Sequence, residues 1–224
     1  MTIALRMRGG WRSGLCAGLL AVAPATAWAA EPARADFAAE NASAATRRLA
    51  DWVVRSGDSH GLPFLIVDKA GARVLAFDAQ GRIRETAPVL LGLARGDVSP
   101  PGIGTAKLSA IGPDQRITPA GRFEAGFGRN PSGKDILWVD YDAAISLHRV
   151  VTSKPAEKRL QRLATASIGD NRISYGCINV PIAFYDGVVR PLFLPASGIV
   201  YILPEVRTLE AVFPAMGQAP PGAQ

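Results

Sequence analysis

Between residues 36 and 56 apolar side chains recur at three-to-four spacing: Phe37, Ala44 or Ala45, Leu49, Trp52 and Val53. That period predicts an amphipathic helix, and Gly57 stops it ahead of a polar loop, Asp58-Ser59-His60-Gly61. Three short apolar runs follow, at 63–68, 73–78 and 83–91, separated by Lys69-Ala70-Gly71-Ala72 and Gln80-Gly81. Runs of this length with turn residues between them predict a β-meander and an antiparallel architecture. Residues 92–135 are rich in Gly and Pro and predict loop. Strand patterns return at 136–139 and 144–147, helical ones at 155–166 and 182–192, and a last strand at 199–203. In 155–166, Pro155 fits a first helical turn and Leu160 and Leu163 share a face. The chain beyond Pro214 is Pro-, Gly- and Ala-rich and predicts a frayed end. The fold class expected from this order is mostly β, a sandwich or barrel-like domain with a few peripheral helices.

The first 29 residues stand apart from that pattern. Arg6, Arg8 and Arg12 precede an apolar run from residue 14 to 23, followed by Ala27-Trp28-Ala29. A basic start, a short apolar run and small residues flanking a cut predict an export signal removed after Ala29, an uncleaved anchor being the alternative. Export across a bacterial inner membrane places the mature protein in the periplasm. The domain plan is then a signal over 1–29, a leader with the N-terminal helix over 30–61, a folded domain over 62–206 and a tail over 207–224. Removing the signal leaves 195 residues, enough for one real core, with no second apolar run for a stable membrane span. The formal charge of +6 falls to +3, with 22 basic against 19 acidic side chains. That balance, without a basic run, argues against nucleic acid as a partner. No phosphate loop, repeat or metal-ligand spacing appears, so neither metal nor cofactor is expected.

Cysteine usage changes the picture. Cys16 lies in the signal, so Cys177 is the one thiol of the mature chain and no internal disulfide can form. A thiol is only a few per cent ionised near neutral pH and needs a base to act as a nucleophile. Two histidines are available. His60 falls in the polar loop and reads as a surface residue. His148 ends the run Ala144-Ile145-Ser146-Leu147 and is the candidate base. Cys177 follows the small-residue approach Ser174-Tyr175-Gly176 and precedes a predicted helix, an arrangement that exposes sulfur beside backbone amides.

Four segments in order resemble the L,D-transpeptidase catalytic domain, a family of cysteine enzymes that cross-link peptidoglycan. Residues 63–78 resemble its opening strand pair, and Thr118-Pro119-Ala120-Gly121-Arg122-Phe123 its Thr-Pro-x-Gly-x-Phe turn. Ser146-Leu147-His148 resembles the strand that ends in the catalytic histidine. Ser174-Tyr175-Gly176-Cys177-Ile178-Asn179-Val180 resembles the Ser-His-Gly-Cys-x-Asn/Arg signature. The resemblance implies Cys177 as acylated nucleophile, His148 as base and the Arg149 main-chain carbonyl as the group orienting the imidazole. It implies an oxyanion hole from the amides of Tyr175, Gly176 and Cys177, and contacts to substrate from Ser174 and Asn179. Trp138 and Tyr141, with Arg122 and Arg129 nearby in sequence, are candidates to line the donor groove. The implied partner is the peptidoglycan stem peptide; no partner protein can be named. The implied reaction is acyl transfer through a Cys thioester; a carboxypeptidase or endopeptidase, and an inactive wall-binding domain, are the alternatives.

Three departures from the family pattern stand out. Tyr175 replaces the histidine before Gly-Cys. The 28 residues between His148 and Cys177 exceed the usual spacing, and the extra 152–171 stretch, with Lys154, Lys158, Arg159 and Arg162, reads either as a lid or as a solvated helix. Arg149 stands where small residues are frequent, so its side chain is a candidate to enter the acceptor side.

Overall fold

A computed structural model describes residues 33–218. The predicted export signal, including Cys16, lies outside the described residues. The chain builds an eight-stranded, nearly closed, barrel-like sheet with a few short helices. Its strands are β1 (Phe64–Asp68), β2 (Arg73–Phe77), β3 (Ile83–Pro88), β5 (Gly121–Arg129), β6 (Asp135–Asp140), β7 (Ile145–Arg149), β9 (Ile178–Val180) and β10 (Gly198–Ile202). They run in the order β3-β2-β1-β10-β5-β6-β7-β9, and β4 (Leu91–Gly92) pairs separately with β8 (Arg172–Ser174).

The meander β1-β2-β3 is present and antiparallel, but the sheet as a whole is mixed: β1 runs parallel to β10, β7 to β9 and β4 to β8. The expected antiparallel architecture is corrected on that point, because parallel neighbours arise through long crossovers rather than turns. β5 corrects a second expectation. Its inward residues Phe123, Ala125 and Phe127 alternate with Arg122, Glu124, Gly126 and Gly128, so the glycines disguise a strand as loop.

Strands β1, β2 and β10 read as unbroken apolar runs because both of their faces are covered. Leu65, Val67, Val74, Ala76, Val200 and Ile202 enter one core with Phe184, Tyr185, Val189 and Phe193. Alternate residues Phe64, Ile66, Leu75, Phe77, Ile199 and Tyr201 enter a second core on the opposite face. That second core is closed by α1 (Ala44–Ser56), through Leu49, Ala50 and Val53. The helix starts later than its periodicity suggests. The Ser43 hydroxyl accepts from the Thr46 amide at 3.2 Å, a helix cap, while Phe37 reaches the same core from a turn ahead of the helix. Gly57 closes the helix at φ 68°.

In the crossover from β7 to β8, the predicted helix over 155–166 shrinks to α2 (Arg159–Ala164). Lys158 adopts a left-handed conformation (φ 49°) that separates α2 from the turn at Pro155, so Leu163 is buried against Leu90 and Val150 while Leu160 is exposed. After β9 come α3 (Ile182–Phe184), a π-helical turn over Tyr185–Val189 and α4 (Arg190–Phe193). The tail holds α5 (Leu209–Val212), and Leu209 and Phe213 are buried in the second core, so this part of the tail is packed. No helix among the described residues is long and apolar enough to cross a membrane.

Candidate active site

The sheet half β5-β6-β7-β9 turns one face to the first core and carries a mixed, partly polar set of residues on the other. Leu137, Val139, Ile145, Leu147, Ile178 and Val180 point into the first core. Ser146 and His148 therefore project from the opposite face of β7. β9 lies parallel to β7 with His148 beside Asn179, which brings the chain just before β9 alongside Ser146 and His148. Cys177 is there, partly buried, with its Sγ 3.6 Å from the Ser146 hydroxyl and 3.7 Å from the Ala144 carbonyl.

The imidazole is fixed from behind. His148 Nδ1 lies 2.7 Å from the Arg149 carbonyl, which can only accept, so Nδ1 carries the hydrogen and Nε2 is left for the thiol. Burial by itself pushes the Cys177 thiol up. Hydrogen bonding and charge attraction from His148, together with hydrogen bonds from Ser146, outweigh it and hold the thiol below its ordinary value. This is the electrostatic setting of a reactive thiol rather than an inert one.

The loop that presents Cys177 is built by buried polar contacts. Gly176 sits at φ 131°, and a Cβ there would lie 2.7 Å from both the Ile117 carbonyl and Ile145 Cδ1, so only glycine fits. Ser174 Oγ accepts from the Gly176 amide at 3.0 Å and donates to the Cys177 carbonyl at 2.6 Å. Thr118 Oγ1 donates to the Gly176 carbonyl at 2.7 Å and accepts from the Gly92 amide. Asn179 is fully buried: its Nδ2 donates to the Cys177 carbonyl at 3.3 Å, and its Oδ1 accepts from Arg159 at 2.8 Å.

These contacts bear on several residues singled out in the sequence. Ser174, assigned to substrate by resemblance, bonds within the loop, and Asn179, assigned likewise, bonds the loop on one side and Arg159 on the other. The Gly176 amide is taken by Ser174, leaving those of Tyr175 and Cys177 without an acceptor among the described residues. A short strand, β9, separates the cysteine from the helix predicted over 182–192, whose turns begin at Ile182, so the amides beside the thiol belong to the loop. The Arg149 side chain is held by Asp135 at 3.0 Å and Asp186 at 3.0 Å, stacked over Tyr185, and is not free to enter a cleft. Arg122 is bound to Asp58 and Arg129 to the Gly133 carbonyl. Trp138 lies opposite Ser146 across β6 and β7, on the same face, with Tyr141 stacked on it at 5.1 Å and largely exposed. His60 is exposed in its loop.

Sequence reasoning missed three contributors. Arg159 was visible only as one charge of the extra segment, yet its side chain braces Asn179 while paired with Glu157 at 2.6 Å. Arg116 lies with its guanidinium 3.9 Å over the Tyr175 ring. Lys69 is fully buried, donating to Asp97 at 2.8 Å and to the Thr118 carbonyl at 2.9 Å, with Glu205 and Arg172 closing the cluster. Burial would raise the Asp97 carboxyl, but Lys69 and the amides of Glu205, Val206 and Arg207 bring it down to about 2. Nothing in the local spacing of Lys69 or Asp97 announces this pairing. Among the described residues no cluster of three or more His, Cys, Asp or Glu side chains is placed to hold a metal.

No family model and no curated protein matches the chain. Among solved structures, the chain is similar to the helical cell shape determining protein Pgp2 from Campylobacter jejuni at 15% identity and a TM-score of 0.42, over 65% of this chain and 49% of that one. It is similar to the L,D-transpeptidase of Xylanimonas cellulosilytica (residues 123–326) at 15% identity and a TM-score of 0.38, over 63% and 60%. It is also similar to Mycobacterium tuberculosis L,D-transpeptidase 1 at 14% identity and a TM-score of 0.34, over 63% and 61%. The chain thus spans about half to three-fifths of the length of these structures.

Proposed function

We propose that this chain is a periplasmic cysteine acyltransferase acting on peptidoglycan stem peptides, an L,D-transpeptidase. One observation carries the reading: a thiol held below its ordinary value beside an imidazole whose Nδ1 hydrogen is committed to a main-chain carbonyl. The signature around Cys177, read with Thr118-Pro119 and Ser146-Leu147-His148, supplies the substrate class.

In the first step His148 Nε2 takes the Cys177 proton and the thiolate attacks a peptide carbonyl at an L-centre. The developing oxyanion is met by the free amides of Tyr175 and Cys177. Collapse breaks the C–N bond, and the imidazolium returns its proton to the departing D-amino acid, leaving a thioester. In the second step an acceptor amine gives its proton to His148 and takes the acyl group, releasing the thiolate. Ser174, Thr118 and Asn179 hold the loop, and Trp138 with Tyr141 lines the donor side.

The test is mass spectrometry of a disaccharide-tetrapeptide incubated with the purified protein, with and without added D-amino acid. Exchanged or dimeric products are expected. Tripeptide alone would make the protein a hydrolase, with water as acceptor, and an unchanged substrate would leave a binding domain.

A further inference from the structure

Residues 102–116 flank the nucleophile. At one end Gly104 packs so closely on the turn of residues 142–144 that a side chain there would run into the Asp142 carbonyl, and Ala144 of that turn touches Cys177 Sγ. At the other end the Arg116 guanidinium lies 3.9 Å over the ring of Tyr175, two residues before the thiol. Arg116 is held a second time, by Nε and one terminal nitrogen donating to the Ile111 carbonyl at 3.3 and 3.1 Å. Its remaining terminal nitrogen has no acceptor among the described residues, and no carboxylate there neutralises its charge.

The other guanidiniums near the loop differ. Arg149 is matched by Asp135 and Asp186, and Arg159 by Glu157. A half-buried cation fixed at two points and left without a counter-charge is prepared for an anion from outside, and a guanidinium is suited to a planar carboxylate. The Tyr175 ring face holds a cation in place.

We propose that Arg116, seated on Tyr175, is the residue that binds the free carboxylate of the acyl donor beside Cys177. This rests on the acyl-transfer reading above and assigns a residue to the carboxylate that the departing D-amino acid carries. Arg116→Gln, which keeps a donor side chain, removes the charge together with the stack on Tyr175; Arg116→Lys keeps the charge without the planar stack and so separates the two.

The experiment compares iodoacetate with iodoacetamide as alkylating agents of Cys177 in the folded protein at low salt, with the modified residue identified by mass spectrometry. Both reagents consume the same thiolate, so the ratio of their rates cancels any change in thiol ionisation and reports the local charge. The ratio is expected to fall by about fivefold in Arg116→Gln, to stay nearer the parent in Arg116→Lys, and to flatten in the parent as salt is added. An unchanged ratio in a folded Arg116→Gln variant overturns the proposal. Because alkylation requires only the thiol, that result is distinct from a failure to turn over stem peptides. Where turnover is seen, the same variant is expected to raise KM for a donor with a free terminal carboxylate and to leave its terminal amide unaffected; an equal effect on both also overturns it.

Discussion

The two halves of the sheet are made of the same backbone and serve opposite ends. In β1, β2 and β10 successive residues alternate between two cores, so both faces are committed to packing. In β5, β6, β7 and β9 the inward residues are equally apolar, but the outward ones include Gly126, Trp138, Ser146, His148 and Asn179. A strand with one face freed from the core can place polar side chains at fixed spacing on a rigid support, which is what a catalytic constellation requires. The contrast teaches that stability and chemistry are separated by location in the sheet. The two halves are joined in the sheet where β10 pairs with β5, and joined again by the buried Lys69–Asp97 pair, which reaches the Gly176 carbonyl through Thr118.

The separation makes graded predictions. Cys177→Ala is expected to lower turnover of the stem peptide by at least about a thousandfold, with the thermal midpoint nearly unmoved. Retained turnover would take the nucleophile away from Cys177, and a collapse of the midpoint would make the thiol a packing group. In the doubly covered half, Leu65→Ala is expected to cost about 2–5 kcal/mol in urea unfolding, while the alkylation rate of Cys177 per folded molecule stays at the parental value. A parallel loss of thiol reactivity would show that the halves are not independent. The smallest effect concerns the joint between them. Asp97 has a depressed folded value of about 2 against 3.8 unfolded, so its contribution is full above the unfolded value and is lost as pH falls through the folded one. Between pH 4 and 2 the protein is expected to lose roughly 2 kcal/mol that an Asp97→Asn variant, already less stable, does not lose. Identical pH profiles for the two would remove Asp97 from that role.

How legible each half was follows from the same contrast. Continuous apolar runs such as Phe64-Leu65-Ile66-Val67 and Ile199-Val200-Tyr201-Ile202 announce strands whatever lies around them, and they fell where expected. Strand β5 was hidden because its outward positions are glycine and charge, and β9 because three residues after a cysteine carry no period. The histidine and cysteine could be picked out by chemistry, since each type is scarce in the chain. Arg116, Arg159 and Lys69 could not, because their meaning depends on what long-range folding sets beside them: an aromatic ring, a buried amide, a carboxylate 28 residues on.

The parallel pairing of β7 with β9 has a consequence for how such a protein diversifies. Adjacent parallel strands fix the histidine against the cysteine loop by register alone, and the chain joining them is a detour whose length the register does not specify. Residues 152–171 occupy that detour, with Arg159 and Leu163 as their moorings. Exchange of the segment between paralogues, with those two anchors kept, is a graft that alters the chain packed beside Asn179 without redrawing how His148 meets the cysteine loop. Evolution and protein engineering alike can use it as a variable cassette on a constant frame.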